Sequence, residues 1–88
     1  MGRLLFELER NSRLAFPIMF KGRTLETVGE ATDLFARLSH EQISRPYWHR
    51  AVLMMQVAIK CRQYLKTATF NLQTAADMEA ATTVQENS

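Results

Sequence analysis

Residues 17–38 read PIMFKGRTLETVGEATDLFARL, and the fold class turns on where this stretch changes period. Its first half alternates. Ile18 and Phe20 fall on one side of an extended chain and Met19 on the other. Lys21-Gly22 then reads as a two-residue turn in which the glycine takes positive φ. Lysine is not a favoured first turn residue, so the turn type stays open. Pro17 has no N–H and suits the start of a strand or an edge. The second half repeats every three or four residues. Thr27-Val28-Gly29-Glu30 is a T-x-x-E capping box, with Thr27 at the N-cap and Glu30 at N3. Ala31, Leu34, Phe35 and Leu38 follow at helical spacing and form one apolar face. A β-hairpin over residues 17–28 therefore runs straight into a helix.

Upstream, LLFELE (residues 4–9) fits two periods. Leu4, Phe6 and Leu8 alternate as in a strand, while Leu4, Leu5 and Leu8 make a helical stripe. Asn11-Ser12 reads as a turn into Leu14–Phe20, which favours a strand and a third member of the sheet. Downstream, SHEQIS (residues 39–44) is a loop with one turn opened by Ser39 and closed on by Gln42. A second helix is expected from a Ser44 cap to about Tyr64, with Pro46 in its first turn, where a missing N–H costs little. A third is expected from about Thr67 to Ala81, the break falling near residues 64–67. Unbroken, residues 45–81 would span about 55 Å at 1.5 Å per residue, too long for a small domain. The polar end, residues 83–88, reads as a frayed tail behind a single domain over residues 1–82.

RPYWHRAVLMMQVAIKC, residues 45–61, holds the only tryptophan and the only cysteine. On a helix, Arg45, His49, Gln56, Lys60 and Gln63 share a narrow polar stripe. Trp48, Ala51, Val52, Met54, Met55, Ala58 and Ile59 fill the opposite half, an arc wide enough to pack on more than one neighbour. Adjacent methionines suit an irregular core or an adaptable partner surface.

The chain has 88 residues and one cysteine, so no internal disulfide can staple it. A free thiol points to a reducing cytoplasm. Small domains without a staple commonly gain buried area by oligomerising, which raises the expectation of a homodimer. Lys and Arg total 11 against 9 Asp and Glu, a net charge of +2, too weak to imply nucleic acid by itself. MGRLLFELER carries two acids and no apolar run of secretory length, and no window is long enough to span a membrane.

No catalytic, cofactor or metal site assembles from these residues. His49 and Cys61 are about 18 Å apart along one helix, so they form no local nucleophile–base pair. Cys61 is expected to be a small buried apolar residue and His49 a solvated one. His40 and His49 do not have metal-ligand spacing, and Glu30 with Asp33 reads as a solvated face. Gly2, Gly22 and Gly29 are isolated and make no phosphate cradle. The N–H groups around Gly29 are the one backbone feature with an anion-binding bias, already partly used by the cap. A real charge asymmetry remains: no acid occurs between Gln42 and Ala76, while Arg45, Arg50, Lys60, Arg62 and Lys66 lie there.

The run FPIMFKGRTLETVGEATDLFARL (residues 16–38) followed by RPYWHRAVLMMQVAIKC resembles the alphaproteobacterial family catalogued as domain of unknown function 982. The shared marks are the Pro-led strand Pro17–Phe20, Thr27-Val28, Glu30-Ala31, and Tyr47-Trp48-His49-Arg50-Ala51. Leu38 stands where many members have Trp, and the glycine that usually closes the second helix is missing. The resemblance implies a hairpin with three helices in a bacterial cytoplasm. The family has no established activity, so no catalytic residue carries over.

The expectation is thus an α+β domain, a small antiparallel sheet packed against two or three helices. Its expected role is a non-enzymatic protein-interaction or regulatory module, homodimeric or with another protein partner, with no cofactor and no membrane. Trp48, Met54 and Met55 are the candidate interface anchors, since aromatic and methionine side chains are favoured at interface cores. The alternative is nucleic-acid binding through segment 42–76, with Arg45, Arg50, Lys60 and Arg62 as contacts.

Overall fold

A computed structural model describes residues 8–86, with side chains through residue 81. The chain runs β1 (Arg13–Phe20), β2 (Arg23–Thr27), α1 (Val28–Arg37), α2 (His40–Ile43), α3 (Pro46–Lys60), a 3-10 turn (Arg62–Tyr64) and α4 (Leu65–Glu86). It is an α+β fold in which a two-stranded antiparallel hairpin packs against helices. Of residues 4–9, which fit either a strand or a helix by sequence, residues 4–7 lie outside the described residues, and Leu8 and Glu9 belong to neither a strand nor a helix.

The hairpin forms around the expected turn, but β1 begins at Arg13, four residues before Pro17, and Val28 opens α1 instead of ending β2. Lys21 and Gly22 both have positive φ, +50° and +77°, as a type I′ turn requires. Pairing holds from Phe20↔Arg23 to Ile18↔Leu25, then breaks and resumes at Arg13↔Thr27. β1 therefore carries three more residues than β2 between the two paired regions, a bulge around Pro17. The proline sits where no ladder bond is asked of it. The unpaired Ala15 N–H finds the Thr69 hydroxyl of α4 at 3.2 Å, and that hydroxyl donates to Leu65 O at 2.8 Å. Thr69 is fully buried, yet its oxygen both donates and accepts.

The start of α1 satisfies its orphan donors in sequence. The Val28 N–H donates to Ser12 O, the Gly29 N–H to Arg10 O at 2.7 Å, and the Glu30 N–H to the Thr27 hydroxyl. Glu30 returns the capping box by accepting from the Thr27 N–H. The turn that supplies Arg10 O and Ser12 O is the one expected at Asn11-Ser12, closed by Ser12 N–H to Glu9 O at 3.0 Å. Gly29 is needed here, because a Cβ would stand 2.9 Å from Arg10 O. These N–H groups are all committed, which removes the anion-binding bias the sequence suggested around Gly29.

Ser39 and Gln42 make a second capping box around α2. Ser44 does not cap α3: its hydroxyl donates to His40 O at 2.8 Å, closing α2 instead. α3 starts from Arg45 with Pro46 in its first turn and ends at Lys60. The break falls at Cys61 and the 3-10 turn, earlier than residues 64–67, and α4 runs into the expected tail as far as Glu86. No glycine or proline lies between Lys60 and Glu86 to end a helix from within.

α4 packs against both β1 and α3, and α1 lies on β2. Ala51 and Ala58 on α3 and Ala68, Ala75 and Ala76 on α4 are buried, and their small side chains let the two helices approach closely. Trp48 is fully buried and meets Phe20 and Phe35 edge-on, with ring centroids 5.6 and 6.4 Å away. Leu8, Ile18, Met55 and Leu72 complete this core.

Candidate functional site

A buried carboxylate organises the end of the molecule where α2, the start of α3 and α4 meet. Glu79 is 4% exposed. Its Oε1 accepts from Arg45 Nη1 at 2.8 Å, Trp48 Nε1 at 3.0 Å and the Tyr47 hydroxyl at 3.2 Å. Its Oε2 accepts from Gln42 Nε2 at 3.1 Å. Arg45 also donates to the Tyr47 hydroxyl at 3.3 Å and reaches Glu41 at 3.5 Å. Each member is placed by its element: Gln42 by the α2 capping box, Arg45 at the α3 cap, Tyr47 and Trp48 in the first turn held by Pro46.

Burial is the largest single influence on Glu79 and pushes its carboxyl up. The Trp48 indole, the Gln42 amide and the Arg45 guanidinium together outweigh it, and the group ends below the ordinary carboxylate range. The Tyr47 hydroxyl, ahead of Glu79, raises the Arg45 guanidinium above its usual value against partial desolvation. Glu79 is thus ionised, with four donors directed at it. Held so, it is a weak base near neutral pH and a structural clamp rather than a proton-transfer group.

The sequence reading missed Glu79. Two signals pointed toward it. A buried Trp48 needs a partner for its N–H, and an acid-free segment must find counter-charge beyond its own ends.

The candidate interface anchors divide. Trp48 and Met55 are spent on the chain's own core, and Met54 is half-buried against it. Burial leaves no surface on the first two for a partner. The exposed apolar residues of α3 are Leu53 and Val57, one turn apart. Beside them, on another face of α3, lies an open, mainly apolar groove of about 330 Å³, lined by Phe35 and Ala36 of α1, Ile43 of α2, and Val52, Met55 and Ile59 of α3, with Thr32 and Gln56 as its polar members. α3's apolar arc therefore serves a core, a groove and an outer ridge.

Of the candidate nucleic-acid contacts, Arg45 is bound to Glu79, while Arg50, Lys60 and Arg62 are exposed. Cys61 is half-buried at the C-cap of α3, more open than a core thiol, because the helix ends there instead of running on. His49 is exposed. Asp33 is held by Arg10 at 2.9 and 3.0 Å, and Glu30 by its cap, so they form no ligand pair. Among the described residues no group of three His, Cys, Asp or Glu side chains is placed to hold a metal ion. None of the described helices is long and apolar enough to cross a membrane. Set against known proteins, the chain matches no family model, no curated protein and no solved structure.

Proposed function

We propose that the protein is a non-enzymatic interaction module, a relative of the domain of unknown function 982 family, that works as a cytoplasmic homodimer. The observation that carries this reading is the uncovered Leu53–Val57 ridge on α3. Leu53 and Val57 are 47% and 43% exposed, although the other large apolar side chains of α3 are buried or half-buried. An i, i+4 ridge packs into its equivalent on a second helix at a crossing of about −50°. That crossing matters here. Arg50 and Lys60 flank the ridge, and an aligned antiparallel pair would set each against the other's counterpart. A steep crossing carries the cations apart and leaves the apolar residues at the centre.

The charge pattern separates this reading from its alternative. Screening the flanking cations should strengthen a homodimer as salt rises. Nucleic-acid binding through Arg50, Lys60 and Arg62 should weaken as salt rises, by about one unit of log–log slope per phosphate contact. The test is solution mass by light scattering across protein and salt concentration. We expect a dimer that tightens with salt and that Leu53→Asp converts to monomer with its helical circular dichroism intact. A monomer at all concentrations that binds DNA with a steep negative salt slope would replace the module reading with the nucleic-acid one.

A further inference from the structure

A cleft between β2 and α1 lies apart from the ridge and the groove of α3. β2 runs directly into α1 at Thr27-Val28, so the two elements diverge from that junction. The buried Phe20 and Leu25 and the half-buried Leu34 line the space between them, about 80 Å³. Arg23 lies four residues before Thr27 and Arg37 nine after Val28. At about 3.3 Å per strand residue and 1.5 Å per helix residue, each stands about 13 Å from the junction. The two arginines therefore meet the cleft at its open end, one from each side. Glu30, Asp33 and Arg37 follow at i, i+3 and i+7 on one face of α1, and all three line it. These charges are unequally matched. Asp33 accepts twice from Arg10, at 2.9 and 3.0 Å. Glu30 spends its Oε1 on the backbone N–H groups of Glu26 and Thr27, and among the described residues its Oε2 accepts no bond. Arg37 makes no hydrogen bond or ion pair with any described residue.

We propose that this cleft binds a small α-amino acid with an apolar side chain. Its carboxylate meets the Arg37 and Arg23 guanidinium groups, its ammonium meets Glu30, and its side chain lies against Leu34, Phe20 and Leu25. The mixed lining selects a molecule with both charges. A bare carboxylate would also face Glu30 and Asp33, and a bare amine would face two arginines. Arginine suits the carboxylate, because its planar fork donates two parallel bonds to it. Size sets the side chain. At about 10–15 Å³ per water-sized group, the cleft holds about five to eight non-hydrogen atoms, which spans alanine to valine. The cleft shares no residue with the Leu53–Val57 ridge, so it does not depend on the oligomeric state.

The test is an NMR titration of the full chain with L-valine. The amide signals of Phe20, Leu25 and Leu34 should shift and saturate, while those of Leu53 and Val57 stay in place. Isovalerate lacks the ammonium and L-valinamide lacks the carboxylate. Each should bind about tenfold more weakly or worse, the loss expected when a charged hydrogen-bonding partner is removed. Arg37→Gln changes an exposed side chain, so it should keep its helical circular dichroism and lose valine affinity to the same extent. Arg23→Gln provides a second variant from the other wall of the cleft. Shifts that never saturate would overturn the proposal. So would isovalerate binding as tightly as valine, or valine binding unchanged in Arg37→Gln.

Discussion

Glu30 and Glu79 are both carboxylates that accept several hydrogen bonds, and both are held below the ordinary carboxylate range. They differ in where their donors come from. Glu30 is exposed and takes the backbone N–H of Glu26 at 2.8 Å and of Thr27 at 3.1 Å, all within one turn of chain. Hydrogen bonding to Glu26 is its largest influence and lowers it. Glu79 is buried and takes side chains 31 to 37 residues away. The first arrangement tightens a local junction that backbone geometry already favours. The second closes the chain on itself, joining α2, α3 and α4 through one charge. Equal chemistry at the two sites should therefore have unequal consequences.

The largest effect should follow from Glu79→Ala. It leaves the buried Trp48 N–H without an acceptor and takes from the partly exposed Arg45 guanidinium its nearer carboxylate, and an unsatisfied buried donor that loses a charged partner costs about 2–3 kcal/mol. Since whole domains are stable by only about 5–15 kcal/mol, the urea midpoint should fall sharply. The pH dependence has a definite sign. The folded value of Glu79 lies below its unfolded one, so its contribution is fully present above the ordinary carboxylate range and is lost as pH falls through the lowered value. Glu79→Gln should flatten that acid limb of the stability curve. A midpoint within error of the parent for Glu79→Ala would place the carboxylate in solvent and dissolve the contrast with Glu30.

Gly29→Ala probes a long-range contact built into the local junction. Helix propensity alone favours alanine by about 1 kcal/mol. The added Cβ would meet Arg10 O at 2.9 Å and Arg10 Cβ at 3.1 Å, and the first of these is backbone. Displacing the turn at residues 9–12 should reverse the sign, to a loss of about 1–2 kcal/mol. Stabilisation by the substitution would mean that the turn yields freely and that the junction is local throughout.

Thr27→Ala removes the N-cap oxygen 3.2 Å from the Glu30 N–H and should cost about 1 kcal/mol. It should leave the acid limb assigned to Glu79 unchanged, because the two sites share no residue. A loss as large as that of Glu79→Ala would show that the cap supports more than α1.

The difference between the two carboxylates also explains what the sequence made legible. Thr27, Glu30 and Lys21-Gly22 act on neighbours in the chain, so their spacing alone locates the hairpin turn, the first capping box and the α+β class, while Ser39 and Gln42 give only a loop with one turn where the structure has a second capping box. Gly29 was visible as a glycine in a helix, but its contact with Arg10 depends on how the preceding turn folds back. Ser44 was misassigned because a serine can cap forward or bond back to a carbonyl four residues earlier, and sequence does not choose between them. Trp48 and Met55 suit either a core or an interface by sequence, because an apolar arc has no label for its partner. Glu79 left no local trace. Its role depends on α4 lying against the start of α3, and that comes from the alanines that let the two helices approach.

The smallest effect tests the local region at its most strained residue. Lys21 holds φ at +50°, in the left-handed region that asparagine tolerates better than other non-glycine residues. Lys21→Asn should relieve about 0.5–1 kcal/mol of that cost. It also removes the Lys21 Nζ from its place 5.3 Å from the centroid of the Phe20 ring, worth about 0.5 kcal/mol at an exposed site. The two terms nearly cancel, and the expected net is a gain of a few tenths of a kcal/mol. The sign carries the information. A gain says that backbone conformation governs the hairpin, as expected of a unit encoded by its own neighbours. A loss says that the Phe20 ring, which also packs against Trp48, draws on the lysine, so that the turn is tied to the long-range core that Glu79 closes.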